Sequence, residues 1–185
     1  MLHGIDVSAF QSSSYDTDGL SFVFIKATEG RSYVNPRLSA QTKTARDAGL
    51  VVGFYHFLWP GDITAQAEYF VRHAPEKAGD ILAVDWETTS EGTHASNAEK
   101  DRFLRKLAEL RPHNRVVLYA NRHYWLDVDT TSEAGDGLWI ADYVSAGHPR
   151  IKAKWLFHQY TDEPHDKNVA RFRDEDSLRE WTRKG

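Results

Sequence analysis

The tripeptide Asp85-Trp86-Glu87 closes an apolar run, Ile81-Leu82-Ala83-Val84. In a strand the side chains at i and i+2 leave the same face, about 6.5 to 7 Å apart along it, so both carboxylates look into one space. Two neighbouring carboxyl groups resist ionising together, and one can keep its proton towards neutral pH as a general acid. Cleavage of a glycosidic bond needs an acid of this kind. Asp-x-Glu alone is a common pattern of surface strands and turns, and its weight comes from what surrounds it. Asp6 stands in Gly4-Ile5-Asp6-Val7-Ser8, where an unpartnered carboxylate is costly to bury, so it needs a partner or a ligand. The plainer alternative is an acid that accepts hydrogen bonds from its own turn.

The carboxyl ends of other strand-like runs carry Tyr55 and His56, Tyr119 and Asn121, Trp139, Asp142 and Tyr143, and Gln159 with Tyr160. Rings that stack on sugar faces, with amides and acids for hydroxyl groups, suit a glycan groove better than an apolar pocket. Taken singly, each ring belongs more often to a core than to a groove. The nine histidines form no His-x-His, His-x-x-x-His or His-Glu-x-x-His arrangement, so neither a metal site nor a cofactor is expected. Neither a Gly-x-Ser-x-Gly elbow nor a phosphate-cradling glycine loop is present.

These residues must be held by an alternating scaffold. Eight candidate strands centre on Ile5 to Val7, Phe22 to Lys26, Val51 to Phe57, Ile81 to Trp86, Val116 to Tyr119, Leu138 to Tyr143, Trp155 to Tyr160 and Val169 to Phe172. Helical signals lie between them: Pro36 at a first turn, Ala65 to His73, Asn97 to Leu110, and a closing Asp174 to Arg183 with acids first and bases last. Gly49 reads as a helix stop. Charges in the run Lys100 to Arg111 alternate with Phe103, Leu104, Leu107 and Leu110, the pattern of an amphipathic helix with one solvated face. Gln11 to Gly19 and Ser145 to Lys154 are too short or irregular for a packed crossover helix. This rhythm predicts an α/β fold with a largely parallel sheet. A regular eight-stranded barrel takes about 250 residues, so 185 residues predict an abbreviated one with a reduced helix complement.

Length and 41% hydrophobic content suit one domain, residues 1–185. The formal charge is −4, and basic residues are interspersed with acidic ones, which argues against nucleic acid as a partner. Cysteine is absent, excluding disulfides and thiolate zinc sites. No apolar run reaches the roughly 20 residues of a membrane span. The opening residues run straight into a strand pattern without a signal peptide, so export by the usual route is not expected.

In their order along the chain, several motifs resemble the lysozymes of glycoside hydrolase family 25, found in phage endolysins and in secreted bacterial and fungal muramidases. They are Gly4-Ile5-Asp6-Val7-Ser8 with Gln11, Phe22 to Gly30, Ala48-Gly49-Leu50 leading to Gly53-Phe54-Tyr55-His56-Phe57, Asp85-Trp86-Glu87, Leu118-Tyr119, Leu138 to Ala141 with Tyr143, and Gln159-Tyr160 before Asp166. The resemblance implies an irregular, flattened, TIM-like β/α barrel that hydrolyses the β-1,4 bond between N-acetylmuramic acid and N-acetylglucosamine in peptidoglycan. It implies Glu87 as the general acid, with Asp6, Asp85 and a late aspartate, Asp166, completing the acidic centre, and Tyr55, Tyr119, Trp139 and Gln159 along the groove. Two departures stand out. The segment Asp162 to Asn168 lacks the glycines expected before the late aspartate, which leaves Asp162 as the alternative to Asp166, favoured for its Asp-x-Asn context. Asp142 stands where an uncharged polar residue is expected, which adds a carboxylate beside the site. The expected partner is the glycan strand of the bacterial wall, met by a monomer without an appended wall-binding module. A phage endolysin, made in the host cytoplasm and then reaching the wall, and a cargo of a non-standard export route both fit. The rival readings are a non-hydrolytic glycan-binding protein on the same barrel and a metal-dependent phosphodiesterase.

Overall fold

The computed structural model describes residues 1–185. One sheet contains nine strands: β1 (Leu2–Val7), β2 (Phe22–Glu29), β3 (Tyr33–Val34), β4 (Val51–Phe57), β5 (Ile81–Asp85), β6 (Arg115–Asn121), β7 (Gly137–Ala141), β8 (Phe157–Thr161) and β9 (Lys167–Ala170). The helices are α1 (Leu38–Asp47), α2 (Ile63–His73), α3 (Asn97–Leu110) and α4 (Glu175–Thr182), with a short π-type turn over Tyr124–Val128. Strand order is β1-β9-β8-β7-β6-β5-β4-β2, and β1 also pairs with β2, which closes these eight strands into a barrel. This is the irregular TIM-like α/β barrel expected from the sequence. The ninth strand, β3, takes the free edge of β2 at Thr28 and Glu29, beyond the point where β1 stops. At two residues it is too short to leave a periodic signal.

The run from β1 through β2, β4, β5, β6 and β7 to β8 is parallel, but β9 is antiparallel to both of its neighbours. The reason is chain length. Only Asp162 to Asp166 separate β8 from β9, too few for a crossover, so the chain returns as a hairpin. That hairpin delivers the start of β9 to the same end of the barrel as the carboxyl ends of the parallel strands.

Strand alternation sorts the residues into two packed layers. Inward lie Phe22, Phe24, Val51, Ile81, Ala83, Val117, Trp139, Phe157 and Ala170. Phe24 stacks on Trp139 with ring centroids 4.2 Å apart. The two phenylalanines of β2 fit because glycine faces them: a Cβ on Gly4 would meet Phe22 at 2.4 Å, and one on Gly53 would meet Phe24 at 2.3 Å. Outward, Val23, Ile25, Val52, Phe54, Leu82, Val84, Val116 and Leu118 pack under α1, α2 and α3. The outer side of β7 carries no helix and is covered by Trp155, with Trp125 and Ile151. α4 plugs the far end of the barrel through Leu178, while Trp181 lies 6.0 Å from Phe157 and 5.5 Å from Phe172.

Helix starts follow local chemistry. Ser96 accepts from Glu99 N (3.1 Å) while the Glu99 carboxylate accepts from Ser96 N (2.9 Å), a reciprocal cap for α3. Gly49 ends α1 at φ +71°. Lys100 departs from the expectation of a solvated charge: it is fully buried. Its ammonium lies 2.8 Å from Asp101 and 2.9 Å from Asp129, donates to Glu133 O and Thr131 Oγ1, and sits 5.2 Å from the Trp86 ring. Position 100 shares a helix face with Phe103, Leu104 and Leu107, so spacing prevailed over residue type, and a loop from outside the helix supplies the counter-charge.

Candidate active site

The carboxyl ends of the parallel strands and the start of β9 surround one cavity of about 220 Å³. β1 brings Asp6 to it, β4 brings Tyr55, and β5 brings Asp85 with Glu87 just beyond. Tyr119, Trp139 and Gln159 come from β6, β7 and β8, while Asp166 and Tyr143 stand at the rim. Trp86, between the two acids of β5, points the other way: it is buried in the outer layer, and its Nε1 donates to Ala95 O at 2.8 Å. Anchoring that tryptophan fixes the strand's orientation and turns both carboxyl groups into the cavity.

The acids form two pairs. Asp85 is buried, and its Oδ1 has no hydrogen-bond partner. Burial, then the charge of Glu87 and a carboxyl–carboxyl hydrogen bond with it, push the Asp85 pKa well above its usual value, offset in part by Lys26. Asp6 is shifted the same way by burial first, and then by a carboxyl–carboxyl hydrogen bond to Asp166 and that group's charge. Within the barrel β2 and β4 lie between β1 and β5, so the two pairs face each other across the mouth.

Two amides hold Asp6. Gln159 Nε2 (2.8 Å) and Asn168 Nδ2 (2.9 Å) both donate to its Oδ2. Their orientation is dictated by their other partners: Gln159 Oε1 accepts from the hydroxyls of Tyr119 (2.7 Å) and Tyr143 (2.9 Å), and Asn168 Oδ1 accepts from Trp139 Nε1 (2.8 Å). Burial and the surrounding carboxylates raise the pKa values of Tyr55 and Tyr119, so both phenols stay protonated donors.

Among the residues singled out in the sequence, Asp142 does not line the cavity, and neither do His56, Asn121 and Tyr160. The Asp142 carboxylate is gripped by Arg150 at 2.7 and 3.1 Å, and these hydrogen bonds hold its pKa below the usual range. Its neighbour Tyr143 does reach the rim. Asp166 lines the cavity, whereas Asp162 is exposed outside it. Asn168, which donates to Asp6, and Lys26, whose charge acts on Asp85, were not singled out by strand-end reasoning. Both were findable from parity: Asn168 shares a face of β9 with Asp166, and Lys26 follows Phe22 and Phe24 on the inner face of β2. Lys26 Nζ lies 2.7 Å from Glu29 Oε1 and also acts on Asp85. No group of three or more His, Cys, Asp or Glu side chains is arranged to hold a metal ion.

An eight-stranded barrel with carboxyl groups and aromatic walls at the carboxyl ends of its strands is an arrangement that suits glycoside hydrolysis. The family model for glycosyl hydrolases family 25 matches residues 5–169, and the chain belongs to that family. It is 31% identical over 171 residues to the autolytic lysozyme of Clostridium acetobutylicum, an alignment covering 87% of this chain and 51% of that protein. It is 43% identical over 93 residues to the N,O-diacetylmuramidase of Chalaropsis sp, covering 45% of this chain and 44% of that one. Among solved structures, the muramidase of Acremonium alcalophilum matches with a TM-score of 0.82 at 26% identity, over 98% of this chain and 99% of the other. The chain spans about half the length of the curated relatives it matches.

Proposed function

We propose that this chain is a muramidase that hydrolyses the β-1,4 bond between N-acetylmuramic acid and N-acetylglucosamine in bacterial peptidoglycan. What carries the reading is the pair of carboxyl pairs opposed across one aromatic-walled cavity. Burial and the charge of Glu87 disfavour ionisation of Asp85, so the Asp85–Glu87 pair carries one proton between its two carboxyl groups. Asp85 is buried and Glu87 half-buried, so Glu87 is the member that reaches the glycosidic oxygen and delivers the proton as general acid. With the pair's one proton on Glu87, Asp85 is the carboxylate, and it stabilises positive charge developing on the sugar. Tyr55, Tyr119, Trp139, Tyr143 and Gln159 orient the glycan.

Same-strand neighbours cannot take opposite faces of one sugar ring, so Asp85 is not the nucleophile to a proton from Glu87. The substrate's own 2-acetamido group fills that role, with Asp85 orienting the amide, and the anomeric configuration is retained. The Asp6–Asp166 pair across the mouth favours a second course, in which it activates water and the configuration inverts. NMR of the first-formed anomer separates them: a β product supports assistance, and an α product establishes inversion.

Muropeptide mass spectrometry tests the bond cleaved, since a muramidase leaves reducing N-acetylmuramic acid. Glu87→Gln tests the acid. A lysis rate reduced by about 10² to 10⁴ is expected, with wall binding and thermal unfolding unchanged. A wild-type chain that binds walls without releasing muropeptides would instead be a glycan-binding protein.

A further inference from the structure

We propose that the end of the barrel opposite the carboxyl pairs is a docking surface for a phosphodiester-linked anionic polymer of the bacterial wall. The choice of partner rests on the muramidase reading, which places this chain at the wall. Two cavities open at that end, one on each side of α4. The first, about 380 Å³, lies between the start of β4, the loop before β5 and α4, and is lined by Arg46, Lys77, Arg179 and Arg183. The second, about 730 Å³, lies against Trp181 and the starts of β7 and β8 and is lined by Lys152, Lys154 and Arg171.

These linings hold seven cations and two carboxylates, in a chain where acids outnumber bases, 27 to 23. Both carboxylates are already satisfied. Asp80 is held by two hydrogen bonds of 2.6 Å from Arg46, and Asp136 lies 3.0 Å from Lys184 and 3.6 Å from Arg115. The other six lining cations make no ion pair, and Lys77, Lys152, Lys154, Arg171 and Arg183 are exposed. Glu175, Asp176 and Glu180 stand on α4 nearby, but within the two linings unpaired cations outnumber free carboxylates, and such an excess attracts a polyanion. Nucleic acid fits less well. Trp181 and Phe172 line the second cavity but are only partly exposed, and the exposed aromatic side chains, Phe10, Tyr33 and Tyr143, belong to the carboxyl-terminal end of the barrel, so this end offers bases little to stack on. A polyanion without bases uses everything that is present.

The geometry also separates the two sites. The parallel strands of the barrel, five to eight residues long, put its ends about 15 to 25 Å apart, at roughly 3.3 Å per residue. A polymer at the base therefore leaves the mouth open, and holding it raises the effective concentration of the glycan to which such polymers are attached.

The test uses the full chain and synthetic poly(glycerol phosphate), followed by calorimetry across a salt series. The variant carries Lys77→Glu, Lys152→Glu, Lys154→Glu and Arg183→Glu; a version with Gln at the same four positions guards against misfolding, and Arg102→Glu with Arg105→Glu on the exposed face of α3 matches the net-charge change of the Gln version. Wild type is expected to bind with a steep salt dependence, and the slope of log K against log salt is expected to fall by roughly 3 in both four-site variants, at about 0.7 per lost contact. Cleavage of a short soluble glycan is expected to be unchanged, with lysis lowered on walls that carry the polymer and equal on walls stripped of it. The proposal is overturned if wild type does not bind the polymer, if the variants bind it equally well, or if an oligothymidylate of equal charge binds as tightly. Polymer binding that follows this pattern in a chain unable to cleave the glycan would uphold the surface and remove the muramidase reading.

Discussion

A buried carboxyl oxygen without a partner, set beside a second acid, lowers stability wherever the group is ionised. Asp85 is such a group. Its folded pKa lies above the unfolded value of about 4, so the unfolded chain ionises first as pH rises. Its contribution to stability is complete below about pH 4 and is lost as pH climbs through the folded value. Asp85→Asn is therefore expected to raise the unfolding free energy at pH 7 by about 1 to 3 kcal/mol, to leave it unchanged near pH 3, and to abolish lysis. Urea denaturation at the two pH values checks the first two outcomes, and a turbidity assay checks the third. Asp6 is tuned from outside. The amides of Gln159 and Asn168 favour its ionised form, so Asn168→Ala is expected to raise the Asp6 pKa further. If catalysis requires that carboxylate, the acid limb of the kcat/KM profile moves to higher pH; an unmoved limb would show that Asp6 does not titrate in catalysis.

Trp139 belongs to two elements of the design at once. As the inward residue of β7 it stacks on Phe24 and meets Tyr119 edge-on at 4.6 Å, and its Nε1 orients Asn168 toward Asp6. It is only 2% exposed, so the core role governs its energetics even though the ring also walls the cavity. Trp139→Ala is expected to cost about 3 to 5 kcal/mol, a fall in Tm of roughly 10 °C for a chain of this size, together with a loss of lysis. Trp139→Phe keeps most of the packing and removes the hydrogen bond to Asn168. It is expected to recover most of the Tm without recovering full activity. Full recovery of both would assign Trp139 to the core alone.

Across the whole molecule, pH acts on stability through groups of opposite sign. His56 is fully buried; Gln66 donates both amide hydrogens to Trp59 O and Gly61 O, so its Oε1 accepts from His56 Nε2, and Thr28 faces Nδ1. Burial, the largest cause, lowers the His56 pKa to about 4. A histidine depressed in this way contributes fully above pH 6.5, and that contribution is lost as pH falls toward 4, by about 3 kcal/mol in all. Asp6 and Asp85 slope the other way over the same interval, losing stability as pH rises. In wild type these slopes oppose each other. Replacing both acids, Asp6→Asn with Asp85→Asn, is expected to expose the histidine slope as a steeper loss of unfolding free energy between pH 6.5 and 4. Denaturant titrations of both proteins at several pH values measure it, and parallel curves would refute it.

Alternation, turn residues and strand-end chemistry are local properties, and they were enough to read the barrel rhythm and to place Asp85 and Glu87 on one face, because strand geometry alone sets which side chains share a side. Chain length decided that β9 must return antiparallel, but which of Asp162 and Asp166 turned into the cavity depended on how that hairpin docked. Other outcomes depended on partners far away in sequence. The Lys100 ammonium was buried because Asp129 and Glu133 came to meet it. Asp142 lost its place beside the site to a pairing with Arg150. Basic residues scattered from Arg46 to Arg183 gathered at one end of the barrel. A charge is read correctly from sequence only when its counter-ion is also in sight, and in this chain the closing of the sheet decides which charges meet.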